Sequence, residues 1–114
     1  SYHDAATYSE ALGDGGANAV LRFSDGGEGK FDENRGLADA IKLLAPIKSK
    51  HASISHADLW ALAANVAIEV MGGPRVPTRF GRVDASSSAE SVDSAAGRLP
   101  GFFFSFLHSP KMHL

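Results

Sequence analysis

The strongest constraint in this sequence is one long apolar segment with a marked start and a marked stop. Ser55-His56-Ala57-Asp58 has the spacing of a capping box, and Gly72-Gly73-Pro74 ends whatever precedes it. Between them Leu59, Leu62, Ala63, Val66, Ala67 and Val70 recur at helical spacing. Trp60, Ala64, Ile68 and Met71 widen that stripe until only Asn65 and Glu69 interrupt it. A helix this apolar needs neighbours on most sides, so the pattern predicts a central, nearly surrounded helix from about residue 56 to 71.

A second, amphipathic helix is predicted from Asn34 onward. Leu37, Ile41, Leu44 and Ala45 share one face while Lys42, Lys48 and Lys50 turn elsewhere, over about four turns, with Asn34 placed as the N-cap. Pro46 removes a donor and crowds the carbonyl one turn earlier, which predicts a kink or a loosened last turn. Residues 1–12 hold neither Gly nor Pro and suit a helical turn or two. Clustered glycines bracket Ala17 to Phe23, so residues 13–33 are expected to be mostly loop. The Ala/Ser-rich stretch 85–96 lacks apolar periodicity and is expected to be an exposed loop. No internal repeat is visible.

A length of 114 residues sets the scale of one domain, and 44% hydrophobic with 21% charged residues places the chain among globular proteins. Eleven basic against thirteen acidic residues, interspersed, predict no general affinity for nucleic acid or anionic membrane. The absence of cysteine excludes a disulfide framework, a thiolate zinc site, an iron–sulfur cluster and a cysteine nucleophile. It is compatible with an intracellular protein. No basic-then-apolar leader precedes the body of the sequence, so chloroplast, mitochondrion and cytosol are not distinguished. The most apolar run, from Gly101 to Leu107, falls far short of the roughly 20 residues of a membrane span.

Local motifs exclude several chemistries. Gly26-Gly27-Glu28-Gly29-Lys30-Phe31 invites a phosphate-loop reading, but no Ser or Thr follows the Lys and no apolar strand leads into it, so an ordinary mobile loop is expected. Asp25 and Asp32 miss the alternating acidic positions of a calcium loop. His51 with His56, and His108 with His113, are spaced onto different helix faces, and no third ligand completes a site, so no protein-only metal centre is expected. No Gly-x-Ser-x-Gly elbow supports a serine nucleophile. His3 followed by Asp4 would, taken alone, read as a surface pair.

The company of His3 overturns that reading. Tyr2-His3-Asp4-Ala5-Ala6-Thr7-Tyr8, then Gly15 to Phe23, then Asn34-Arg35-Gly36-Leu37 closely resemble the distal-histidine region of class I haem peroxidases, the group of ascorbate peroxidase and cytochrome c peroxidase. The resemblance continues through Leu43 to Lys48, Ser55 to Trp60, Gly72 to Pro77, Gly81-Arg82-Val83-Asp84 and Gly97-Arg98-Leu99-Pro100. It implies an all-α fold, the distal helical lobe of the two-lobed haem peroxidase architecture, incomplete here, with residues 1–100 matching and 101–114 forming a tail that does not.

The same resemblance implies reduction of hydrogen peroxide to water at haem b, an oxidative-stress activity drawing electrons from ascorbate, cytochrome c or another donor. His3 becomes the distal base, taking a proton from hydrogen peroxide at the haem iron and returning it to the oxygen that leaves as water. Asn34 stands where the family places the side-chain amide that orients this base, and it can do so while capping a helix. Tyr2 takes the place of the Trp or Phe that stacks over the haem face, and its hydroxyl needs a partner if buried. Pro100 matches a proline beside the haem edge. Gly72 to Pro74 and Arg82 to Asp84 are expected to be architectural. Gly81 to Asp84 leans toward cytochrome c peroxidase-like and hybrid members.

Two family residues have no counterpart here: the distal Arg one helical turn ahead of His3, and the proximal His that ligates iron from a second helical half. From Gly101 the resemblance is lost, and Phe102, Phe103, Phe104 and Phe106 form a sticky run, read as an altered chain end, that predicts low solubility. The competing reading of the run is a native segment docked on the exposed core face. For the isolated chain the expectation is weak or absent haem binding and negligible turnover. The alternative from another class is a non-enzymatic helical fragment or interaction protein without haem.

Overall fold

The computed structural model describes residues 1–100. The expected non-matching tail, with its docking and solubility consequences, lies outside the described residues. Helices dominate: α1 (Tyr2–Ala5), α2 (Leu37–Lys50) and α3 (His56–Val70), with 3₁₀ turns at Val20–Arg22, Gly27–Lys30, Asp32–Asn34 and Ser88–Glu90. Among the described residues the only β-pairing is an isolated bridge between Ser9 and Asp14. The class is all-α, as expected.

The core gathers where the first turn of α3 meets the segment around residue 20. Ala19, Leu21, Ala57, Leu59 and Trp60 are buried together, and Leu37, Ile41, Leu44 and Ile54 pack against them. Each large apolar side chain removed from water here contributes about 1.5–3 kcal/mol. The expected burial of α3 holds only for its start. Ala57 to Trp60 are buried, whereas Val66 is 48% and Val70 81% exposed. Among the described residues the neighbours of α3 cover it only as far as Asn65, whose Nδ2 donates to Thr78 Oγ1 at 3.0 Å, so the apolar stripe from Val66 onward stays uncovered.

The ends of α3 show how its boundaries are set. Ser55 Oγ accepts from the Asp58 N–H at 3.0 Å, but the reciprocal half of the expected capping box is missing. Asp84 has taken the remaining donors, accepting from the His56 N–H at 2.8 Å and the Ala57 N–H at 2.9 Å, where a carboxylate also complements the helix dipole. The Asp58 carboxylate turns instead to the Gly81 and Arg82 N–H groups and the Arg82 guanidinium. At the other end Gly72 adopts φ +93°, and the Gly73 N–H donates to the Ile68 carbonyl at 2.8 Å, closing a Schellman turn that only a residue tolerant of positive φ enters cheaply. Gly72 and Arg82 to Asp84 thus have the architectural places expected of them.

Helix α2 has about the expected four turns but departs from expectation at its start. It starts at Leu37 behind Gly36, and Asn34 does not cap it, because Asn34 belongs to the preceding 3₁₀ turn and its side chain is engaged elsewhere. Pro46 lies inside the helix, which runs on to Lys50, with the Ser49 hydroxyl donating to the Ala45 carbonyl at 3.1 Å. Pro46 lies on an exposed face, where the ring and the undonated carbonyl meet water.

The stretch 85–96 is mostly exposed and irregular, as expected, apart from the 3₁₀ turn Ser88–Glu90, but buried residues dock it. Ala85, Val92 and Ala95 are buried; the Ala85 N–H donates to the Asn18 carbonyl at 2.7 Å, and Arg22 donates to the Ala85 carbonyl at 2.6 Å. Apolar anchors spaced by irregular turns dock this segment without any helical or strand periodicity, so the sequence pattern could not show them.

Candidate active site

A four-residue helix cannot hold itself, so α1 needs an anchor. Asp4 supplies it. Both carboxylate oxygens accept from the Ala19 N–H, at 3.0 and 3.1 Å, and the side chain is fully buried. Burial pushes the Asp4 carboxyl up from 3.8 to about 6, against the opposing pull of the Ala19 N–H. The Thr7 hydroxyl donates to the Asp4 carbonyl and accepts from the Gly16 N–H, tying the end of α1 to the glycine turn behind it.

With Asp4 pinned inward, its neighbour His3 is presented on the other side of the short helix. His3 Nδ1 stands 2.9 Å from Asn34 Oδ1. The amide orientation follows from its other contact: Asn34 Nδ2 donates to the Glu28 backbone carbonyl at 2.8 Å, and a carbonyl only accepts. Oδ1 therefore faces the imidazole, and His3 Nδ1–H is the donor. A neutral imidazole protonated at Nδ1 carries its lone pair at Nε2. Nε2 has no hydrogen-bond partner among the described residues.

Asn34 is 5% exposed and Glu28 fully buried, so the bond between them is shielded from water. Glu28 was not visible in the sequence as anything but a loop residue between glycines. Where a loop is expected, the chain forms a 3₁₀ turn, Gly27–Lys30, with Glu28 inside it. Its Oε2 accepts from the Val92 N–H at 3.1 Å, and its own N–H donates to Ser91 Oγ at 2.9 Å. Burial pushes the Glu28 carboxyl up, the Val92 N–H pulls it down, and the nearby Asp4 charge adds to the upward push. Oε1 is buried without a hydrogen-bond partner among the described residues.

The other expected site residues are placed as follows. Tyr2 is 65% exposed, its ring edge-on to His3 with centroids 5.6 Å apart, and this exposure removes the need for a buried partner for its hydroxyl. Pro100 is half-buried behind the buried Leu99, and the His3–Asn34 pair does not include it.

The residues present are of the kind that would lie against a haem. They provide an imidazole with an unengaged nitrogen and, beside it, an exposed aromatic ring. The other described histidines that would be available to hold an iron are His51, at the end of α2, and His56, whose Nδ1 is held by Asp84 at 2.9 Å. Neither is part of the hydrogen-bonded group around His3.

Comparison with known proteins bears on this arrangement. A family model described as peroxidase matches residues 1–112. The chain is 44% identical over 103 residues to L-ascorbate peroxidase T, chloroplastic, of Arabidopsis thaliana, covering 87% of this chain and 23% of that one. It is 45% identical over 100 residues to a probable L-ascorbate peroxidase 3, peroxisomal, of Oryza sativa subsp. japonica, with 88% and 32% covered. It is 44% identical over 101 residues to a putative cytochrome c peroxidase, mitochondrial, of Yarrowia lipolytica, with 88% and 34% covered. The chain thus spans about a quarter to a third of the length of these relatives. A family match across nearly all of the chain, and relatives of both donor types at equal identity, lead to one conclusion: the chain belongs to the peroxidase family of oxidoreductases, in the class I haem peroxidase group.

Proposed function

We propose that this chain carries the proton-handling side of a haem-dependent peroxidase that reduces hydrogen peroxide to water. The observation that supports it most is the His3–Asn34–Glu28 relay, which leaves the lone pair of a neutral imidazole at Nε2. When bound, haem supplies the iron and the redox equivalents that the chain itself lacks. His3 Nε2 takes a proton from one oxygen of hydrogen peroxide and delivers it to the other, which departs as water. Two electrons and two protons from solution and donor complete the balance to two waters. One imidazole serves as base and then as acid because Asn34 keeps the Nδ1 proton in place, so that Nε2 alone gains and then gives up the transferred proton.

Tyr2 and Pro100 are the residues assigned to haem contact: the exposed ring of Tyr2 offers a flat apolar surface, and Pro100 a rigid edge. Ascorbate or cytochrome c is the donor, following the names of the relatives. An intracellular compartment follows from relatives named chloroplastic, peroxisomal and mitochondrial.

The test supplies hemin with imidazole as exogenous axial ligand and follows peroxide-dependent oxidation of ascorbate and of reduced cytochrome c. His3→Ala should lower the rate by about 10²–10⁴-fold, the usual contribution of general acid–base catalysis. Equal rates for the two proteins would overturn the assignment. A second reading, a helical fragment that takes up no haem unaided, is favoured by His56 being committed to Asp84. Hemin titration without added imidazole separates the two: a stoichiometric Soret band that survives His3→Ala excludes the second.

A further inference from the structure

We propose that Ser91 is a positioning residue for His3, acting through Glu28 and Asn34. The inference rests on the reading of His3 as the base and extends it to a residue 88 positions further along the chain.

Glu28 is held at three polar atoms. Its N–H donates to Ser91 Oγ at 2.9 Å, its Oε2 accepts from the Val92 N–H at 3.1 Å, and its carbonyl accepts from Asn34 Nδ2 at 2.8 Å. Two of these anchors come from one short segment, residues 91–92, and the third passes directly to the amide that orients His3. The N–H and C=O of Glu28 lie in successive peptide planes, joined at its Cα through the φ and ψ that the 3₁₀ turn Gly27–Lys30 sets. Within that turn, where the Glu28 carbonyl also accepts from the Phe31 N–H at 3.2 Å, anchoring the Glu28 N–H helps hold the carbonyl where Asn34 meets it.

The segment is itself well placed to act as a fixed point. Ser87–Glu90 form a closed capping box around the turn Ser88–Glu90, and the Ser91 N–H donates to the Ser88 carbonyl at 3.1 Å. Val92, 4% exposed, seats the far side. Ser91 approaches residue 27 so closely that a Cβ there would meet the Ser91 Cβ at 2.7 Å and the Ser88 carbonyl at 2.8 Å. Glycine at 27 is what lets the Ser91 hydroxyl reach the next N–H. A hydroxyl is also the chemistry required: Ala would leave a largely buried peptide N–H without an acceptor, whereas Thr preserves it.

The experiment is ring-nitrogen NMR on the full chain labelled at histidine, at a pH where the imidazole is neutral. His3 should show a protonated Nδ1 and an unprotonated Nε2. Ser91→Ala should move the ring toward a mixture of tautomers with loss of the Nδ1–H signal. Ser91→Thr should restore the wild-type pattern, and Ser94→Ala, at an exposed hydroxyl in the same stretch, should leave it unchanged.

A Ser91→Ala protein with native spectral dispersion and wild-type His3 shifts overturns the role of Ser91 while leaving the base assignment intact. A wild-type His3 that is not held in the Nδ1–H form overturns the base assignment itself. Hydrogen exchange on the unaltered chain gives a reading free of any folding defect. The Glu28 amide, the Val92 amide and the His3 Nδ1 proton should report a common opening equilibrium once each rate is divided by the group's intrinsic exchange rate. A His3 proton that stays protected while the Glu28 amide exchanges freely overturns the proposal.

Discussion

His3 and Asn34 are 31 positions apart in sequence, and their side chains meet at 2.9 Å. The contact is directional, because the Asn34 amide is pinned on its other side by the Glu28 carbonyl. A backbone group thereby dictates the tautomer of an imidazole it never touches.

Asn34→Ala removes both bonds at once. The Glu28 carbonyl then keeps only the Phe31 N–H, at 3.2 Å, as its donor, and the His3 Nδ1–H loses its acceptor. The expected cost is about 1–3 kcal/mol in unfolding free energy, with the His3 ring released from a single tautomer. Urea denaturation and ring-nitrogen NMR on the same sample check the two halves, and an unchanged midpoint contradicts the first.

Stability should peak at acid pH. Asp4, pushed up from 3.8 to about 6 by burial, holds a proton in the folded chain that the unfolded chain releases. Stability therefore falls by about 3 kcal/mol as pH rises between about 4 and about 6, and Glu28 acts in the same direction. Asp58 and Asp84 act oppositely. The Gly81 N–H, with the Arg82 N–H and guanidinium, holds Asp58 below the usual carboxylate range. Burial pushes Asp84 up, but the Ala57 and His56 N–H groups and the His56 ring outweigh it. Their stabilisation is present above the unfolded carboxylate range and is lost as pH falls through their folded values. Thermal midpoints measured across pH should show a maximum near about pH 4, and Asp4→Asn should flatten the limb above it. A variant profile superimposable on wild type contradicts this account.

Asp84→Ala should loosen the start of α3. Two first-turn N–H groups lose their acceptor, at a cost of about 1–3 kcal/mol. Because Ala57, Leu59 and Trp60 sit in that turn, the Trp60 fluorescence transition should shift with it. A stability loss that leaves Trp60 emission in its native environment up to the same denaturant concentration would speak against the coupling.

Gly15→Ala and Gly13→Ala make a matched pair. Both positions have positive φ, +75° and +69°, but a Cβ at Gly15 runs into the Thr7 carbonyl, whereas one at Gly13 meets open space. Gly13→Ala should cost about 1–2 kcal/mol from φ alone. Gly15→Ala adds about 1–3 kcal/mol of overpacking and displaces the Thr7 hydroxyl from the Gly16 N–H. Equilibrium unfolding of the two variants gives the difference directly, and equal losses would refute the steric part.

The sequence by itself determined the helical class, the start and stop of α3, the body of α2 and, through motif order, the family and the residue types of the site. These rest on local periodicity, capping chemistry and short motifs, which operate within a few turns of chain. Only the tertiary structure decided what Asn34 does with its side chain, that Glu28 is buried, and that residues 85–96 dock. It also showed α3 covered at one end alone. The bonds behind these facts join residues 31, 63 and 64 positions apart, through turns that carry no hydrophobic period. Such contacts depend on the path of the backbone between them. A glycine-flanked glutamate looks the same in a sequence whether it lies in water or holds an imidazole in place from the interior.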